Sequence, residues 1–171
     1  MSGIIGDNTG RGTGLIKAAG GGAWTFLQEV SASDDATITV GSSALLSSTY
    51  DVYKIFVTEM LGATDSVHCH MRVSVGGAVQ TGSYHYVIAR TYSGSSGWSF
   101  NVDESSGELY KFMGGDIGNA TGEGHNGEIT ILSPAATGYT GVYAISMAKD
   151  ASVSAQFVHG WGYYSGATTA V

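Results

Sequence analysis

The stretch Ser48-Thr-Tyr-Asp-Val-Tyr-Lys-Ile-Phe-Val-Thr-Glu-Met-Leu-Gly-Ala-Thr-Asp65 has the pattern of a β-strand followed by a turn. Its first part is dense in aromatic and β-branched residues, which suit a pleated and half-buried strand. A second alternating stretch, His68–Val75, follows the turn and stops at Gly76-Gly77. Two strands around a short polar corner are the clearest local signal, and they predict β-structure.

Similar strand patterns recur along the chain, separated by turns rich in glycine and serine. The predicted strands are Ala23–Val30, Ala36–Val40, Tyr50–Val57, His68–Val75, Thr81–Tyr92, Trp98–Val102, Glu108–Met113, Glu128–Leu132, Thr140–Met147 and Ser152–Trp161. A glycine-rich segment, residues 114–127, is predicted to be the main loop. About eight to ten short strands with regular turn signals indicate an all-β sandwich or barrel.

Composition narrows the class of protein further. Glycine accounts for 27 of 171 residues and proline for one, while 18 aromatic residues supply apolar area for a core, so ordered strands with glycine-rich turns are expected. The net charge is −7 with only seven Lys and Arg, which argues against a nucleic-acid binder. Charged residues are only 12% of the chain, which suits a surface covered by copies of itself or by a larger assembly, and also suits a secreted β-domain.

The first 22 residues predict an extended arm, because glycines interrupt any regular element and little apolar area is present. Such a segment is expected to order along a partner surface. The residues expected to attach it are Ile4, Ile5, Arg11, Leu15, Ile16 and Lys17. Gly10–Gly14 faintly resembles a nucleotide-binding loop, but the P-loop spacing is absent and the flexible arm is favoured. Met1–Asp7 lacks the pattern of a signal peptide, and no window is long enough for a membrane span.

The order of these patterns resembles the jelly-roll domain of tailed-bacteriophage virion proteins, among them tail-fibre tips and capsid-surface proteins. The resemblance covers residues 5–165 and consists of strand and turn patterns. It runs through the opening strand, Ala36–Val40, Tyr50–Val57, the Gly-Ala-Thr-Asp corner at 62–65, Met71–Gly77 and Thr81–Tyr86. The arm's Asn-Thr-Gly-Arg-Gly-Thr-Gly-Leu-Ile-Lys run at 8–17 also looks like the N-termini of such proteins.

The resemblance implies an antiparallel jelly-roll β-sandwich over residues 23–171 that carries the glycine-rich arm, 1–22. It also implies a homotrimeric, non-enzymatic virion protein, in capsid decoration or in a tail fibre, whose arm contacts other virion proteins. A receptor- or glycan-binding tail-fibre tip is the alternative, and a small hydrolase a more distant one. No cofactor, nucleic acid or membrane insertion is expected. Such domains usually continue for a strand or two after a segment like Tyr163–Gly166, so a neighbouring chain supplies the last strand or this copy is shortened.

His68-Cys-His70 is the sharpest candidate for chemistry. Alternate residues of a strand share a face, so His68 and His70 can share a zinc or nickel ion while Cys69 points the opposite way. Further ligands would have to come from His85, His125, Asp65 or Asp116. The alternative, which the sequence favours, is a pair of polar residues on a solvent or subunit face with Cys69 as a small core residue.

Two weaker candidates remain. Oxygen donors in or beside the glycine-rich loop could bind Ca²⁺, but the EF-hand spacing is absent and a solvated loop is favoured. Those donors are Asp116, Asn119, Glu123, Asn126 and Glu128. Exposed aromatic residues could stack on host glycans, or pack in the core and the subunit interface, which is favoured. The main candidates for glycan or partner contact are Tyr92, Trp98, Tyr110 and Trp161.

Overall fold

The computed structural model describes residues 24–33, 35–42, 45–135, 138–149 and 154–167. They fall into two units, residues 1–40 and 41–171, which are taken separately. The predicted arm and its attachment residues lie outside the described residues.

The first unit corrects two predictions. Its described residues are exposed and form neither helix nor strand, so the strands predicted at Ala23–Val30 and Ala36–Val40 are wrong for the residues described there. An alternating pattern fixes which side chains would share a face, but a strand also needs a neighbour that takes its backbone hydrogen bonds. No strand pairing among the described residues involves this unit.

The second unit consists of ten β-strands and has no helix in its described part. The strands are β1 (Val52–Met60), β2 (Val67–Met71), β3 (Ser74–Val75), β4 (Ala78–Val79), β5 (Tyr84–Tyr92), β6 (Ser99–Ser106), β7 (Leu109–Ile117), β8 (Gly124–Leu132), β9 (Gly138–Lys149) and β10 (Ala155–Ala167). The all-β prediction is confirmed.

Six strands form an antiparallel sheet, called here the large sheet, in the order β1–β8–β9–β10–β5–β6. β2 and β7 pair as the small sheet, and β3 and β4 form a separate hairpin. β7 packs against β5, β8, β9 and β10, so the small sheet stacks on one face of the large sheet. Antiparallel sheets stacked in this way are consistent with a β-sandwich, and the apolar core lies between them.

The sequences of Thr81–Tyr92 and Thr140–Met147 predict that alternate residues share a face, and the structure confirms it. In β5, Tyr84, Tyr86 and Ile88 are buried together. In β9, Val142, Ala144 and Ser146 face the core, and the residues between them face outward. The other buried apolar side chains of the core are Tyr53, Val73, Leu109, Phe112, Met113, Ile129, Ile131, Val158 and Tyr164.

The prediction of a loop at residues 114–127 is wrong for most of that range. Its first residues belong to β7 and its last residues to β8, so only Gly118–Glu123 connect them. Glycine here serves close approach rather than flexibility. Gly114 has φ +140° in the middle of a buried strand, and a Cβ atom on it would lie 1.8 Å from Cε1 of His125. The glycines therefore mark a tight crossing of two layers.

Three large-sheet strands hold this glycine segment, Met113–Gly115, which we call the strap. The Ser146 hydroxyl of β9 donates a hydrogen bond to the Met113 carbonyl. The fully buried His125 ring of β8 lies against Gly114. The Gln156 amide of β10 donates to the Gly115 carbonyl (3.1 Å) and accepts from the Gly115 N–H (3.3 Å). Polar side chains thus satisfy strap backbone groups inside the core.

Replacing Gly114 with Ala should be severely destabilising. The new Cβ collides with the His125 ring, and the positive φ disfavours an L-residue, so the free energy of unfolding should fall by about 3 kcal/mol or more. The matched control is Gly97→Ala, where a Cβ meets nothing within 4 Å. Urea unfolding of both variants measures the effect, and equal stabilities would contradict the account of the strap.

Candidate functional site

The side of the large sheet that faces away from the small sheet is the most distinctive surface of the second unit. We call it the outer face. Its residues are Val52, Lys54, Phe56, His85, Val87, Ala89, Thr91, Phe100, Val102, Asn126, Glu128, Thr130, Leu132, Tyr143, Ile145, Met147, Phe157, His159, Trp161 and Tyr163. Most are apolar, whereas an antiparallel sheet with one side in water normally alternates apolar with polar residues.

Strand register places these side chains in rows that cross the whole sheet. One row, from β6 to β1, is Val102, Val87, Trp161, Tyr143, Thr130 and Lys54. The adjacent row is Phe100, Ala89, His159, Ile145, Glu128 and Phe56. Side chains directly opposite on neighbouring strands contact each other, so each row is a continuous, mostly apolar band. Apart from His159 in β10, its polar members lie near the β1 edge.

Large apolar side chains on the outer face are well exposed. The exposed fractions are 72% for Phe56, 67% for Val102, 65% for Met147, 62% for Phe100 and 52% for Trp161. Their neighbours form aromatic contacts: His85 stacks on Tyr163 with ring centroids 4.6 Å apart, and Tyr143 meets His159 edge-on at 4.9 Å. The outer face is therefore a preformed aromatic and aliphatic surface.

Charge on the outer face is balanced internally. Lys54 Nζ and Glu128 Oε1 form an ion pair at 2.7 Å, which leaves the face close to neutral. The two edge strands of the large sheet are different, since β6 carries Asp103 and Glu104 and β1 bends at Glu59, whose φ is +53°. Charged residues and irregular backbone on edge strands discourage edge-to-edge pairing. The large sheet thus protects its edges and leaves its outer face apolar.

The exposed side of the small sheet is polar by contrast. Glu108 contacts one side chain in β2 and one directly after it. Its Oε1 lies 3.0 Å from His70 Nδ1, and its Oε2 lies 2.7 Å from Arg72 Nη2. Tyr110 packs against both histidines, with ring centroids 5.8 Å from His68 and 4.9 Å from His70. The two sides of the unit therefore differ in chemistry, one polar and histidine-rich, the other apolar.

The predicted metal pair, His68 and His70, lies on this polar side with both rings on one face, 6.1 Å apart. His68 Nδ1 accepts a hydrogen bond from the Asp116 N–H, which puts the ring proton of neutral His68 on Nε2 and leaves that ring no free lone pair. Burial, followed by the charge of Lys111, lowers the pKa of His68. His70, whose Nδ1 faces Glu108, keeps Nε2 for a ligand.

Further metal ligands are not assembled around the two histidines. His85 lies on the outer face and His125 inside the core. No group of three or more His, Cys, Asp or Glu side chains in the described part of the chain is arranged to hold a metal ion. The shared metal ion stays a prediction.

The oxygen donors proposed for calcium are mostly engaged in separate contacts. Asn126 Oδ1 accepts a hydrogen bond from the Glu59 N–H at 2.9 Å, and Glu123 Oε2 accepts one from the Ala120 N–H at 2.9 Å. Glu128 forms its ion pair with Lys54. Each of these groups serves a local turn or strand contact. Asp116 lies in β7, and Asn126 and Glu128 lie in β8, so these three are not in a solvated loop.

The four aromatic residues proposed for glycan or partner contact occupy different surfaces. Trp161 is on the outer face, where Trp98 packs edge-on against Phe157 at 5.8 Å. Tyr110 lies on the opposite, polar side. Tyr92 ends β5 beneath the Arg90 guanidinium, 5.9 Å from its ring centroid, and lines an open depression of about 350 Å³. Trp98 borders the outer face that carries Trp161, and Tyr92 lines a depression whose other side includes Phe157.

The sequence pattern predicted exposed aromatic residues individually but did not predict the outer face as a unit. The sequence of β9 contains the indication, because both sets of alternating side chains are apolar. Val142 and Ala144 form one set, and Tyr143, Ile145 and Met147 form the other. A strand whose two sets of alternating side chains are both apolar has the pattern typical of burial on both sides.

Cys69 packs against the core, as the sequence predicted, and burial raises the pKa of its thiol to about 11. Because only the thiolate reacts, iodoacetamide at pH 8 should alkylate native Cys69 about 100-fold more slowly than the urea-unfolded chain. Mass-spectrometric kinetics measure this ratio, with glutathione in urea and in buffer as the control for intrinsic reactivity. Equal rates for native and unfolded protein would show that the thiol is not held in the core.

Compared with known proteins, the chain matches no family model, no curated protein and no solved structure. Among the residues that the structure describes, no helix is long and apolar enough to cross a membrane.

Proposed function

We propose that the protein is a non-enzymatic structural component of a bacteriophage virion, displayed at the particle surface. The observation that supports this function best is the apolar outer face. A side chain such as Phe56 or Val102 is favourable on a sheet surface only if another surface removes it from water. The outer face therefore suits a protein whose working state is an assembly.

The size of the outer face supports the same role. Six strands spaced about 4.8 Å apart and four rows spaced about 6.8 Å apart give a footprint of roughly 700 Å². One side of a standard protein interface measures about 800 Å². The outer face has the size of an interface.

The finer parts of the proposal come from the resemblance. The sandwich has jelly-roll connectivity, the protein is a homotrimer, and the glycine-rich arm, 1–22, attaches it to other virion proteins through its apolar residues and two cations. The location is the virion, in capsid decoration or in a tail fibre.

Glycan binding by a tail-fibre tip is the second candidate, because Trp98 and Trp161 are both half exposed on the outer face. Sugar recognition needs hydrogen-bonding groups beside an aromatic ring, since hydroxyl groups cover the ligand. Around Trp161 the register neighbours are Val87 and Tyr143, and the Lys54–Glu128 pair lies toward the β1 edge. His159 and Tyr163, the neighbours of Trp161 along β10, add polar groups, but most of the surrounding outer face is apolar, which favours a protein surface over a sugar.

The test of the proposed function is the copy number of the chain in purified particles, measured by quantitative mass spectrometry against the major shell protein. A number comparable to the shell protein indicates capsid decoration, and a few copies per particle indicate the tail. We expect one of these two results. Absence of the chain from particles that carry its gene would contradict a virion role.

A further inference from the structure

We infer that the outer face of the large sheet is covered by the outer face of a second copy of this chain. This contact pairs two chains about a two-fold axis, so in the proposed homotrimer it joins chains of two different trimers. The inference names the partner for the proposed structural function and rests on it, but its test needs only the purified protein. Three properties of the outer face lead to a copy of the same chain rather than to an unrelated partner: its charge, its shape and its size.

Charge is the first property. The chain carries a net charge of −7, so two copies repel each other over most of their surfaces. On the outer face the Lys54–Glu128 pair is neutral, and the exposed side chains in the same two rows, such as Phe56, Phe100 and Trp161, carry no charge. The outer face is therefore a surface on which two copies can meet without bringing like charges together.

Shape is the second property. Two twisted sheets pack face to face about 10 Å apart, with side chains from both faces interdigitating, so a sheet face is complementary to a face of the same kind. The large sheet cannot extend easily through its edges, because β6 carries Asp103 and Glu104 and β1 is bent at Glu59. The large sheet can therefore associate with a second sheet by face-to-face stacking.

Size is the third property. Two footprints of roughly 700 Å² approach the total of about 1,600 Å² that standard stable interfaces bury. The centre of this area is the Trp161–Tyr143 register pair, flanked by Ile145 and Val87. Large aromatic residues at the centre of an interface dominate its affinity. Trp161 is therefore the residue whose change should weaken self-association most.

The experiment compares the full chain with Trp161→Glu and with a matched control, Val79→Glu. Trp161 and Val79 are similarly exposed, at 52% and 58%, but Val79 lies in the β3–β4 hairpin, away from the outer face. Sedimentation velocity over a range of concentrations gives the stoichiometry and dissociation constant of each. Wild type and Val79→Glu should form the same oligomer, and Trp161→Glu should dissociate about 100-fold more readily.

A second measurement covers the case in which Trp161→Glu does not fold. A photo-crosslinking amino acid in place of Trp161 should yield interchain products whose attachment sites lie on the outer face of the second copy. Crosslinks confined to one chain, attachment sites off the outer face, or a wild-type monomer at concentrations of about 100 μM would overturn the inference. If the protein is a monomer but abundant in particles, the self-association inference is wrong and the virion role stands. If it is an oligomer but absent from particles, the virion role is wrong and the self-association inference stands.

Discussion

The second unit depends on the way β7 is held across the inner face of the large sheet. Three successive residues, Met113, Gly114 and Gly115, are each contacted by a polar side chain from a different strand: Ser146, His125 and Gln156. Each of these contacts requires that the strap backbone come close, which only glycine allows at the centre. The strap keeps the two sheets stacked, and this stacking decides which side of the large sheet is core and which is outer face.

The small sheet covers the inner face of the large sheet, so the exposed apolar area that has to be explained lies on the outer face. The unit places a polar, histidine-rich surface on the small sheet and an apolar surface on the large sheet, with charges at the edges between them. This polarity suits a building block that buries one side and displays the other. The same asymmetry separates the candidate binding residues. Those suited to a metal or a polar ligand lie on one side of the unit, and those suited to contact with a protein lie on the other.

Local patterns predicted the all-β class and the phases of β5 and β9, because side-chain alternation has a period of two wherever a strand is paired. They were wrong for Ala36–Val40, which alternates as regularly but has no partner strand in the described part of the chain. They also read Gly114 and Gly124 as loop residues, because a glycine required by close packing looks the same in sequence as a glycine that permits a turn. The burial of His125 and the clustering of the outer face depend on strand order, which single-strand patterns do not contain.

The proposed burial of the outer face in the working state of the protein can be measured directly. Hydroxyl-radical footprinting of the full chain, at concentrations above and below self-association, measures that burial residue by residue. We predict that oxidation of Phe100, Met147 and Trp161 falls several-fold in the associated state while Leu61, which is 50% exposed in the turn after β1, is unchanged. Equal oxidation of the three outer-face residues in both states would contradict the claim.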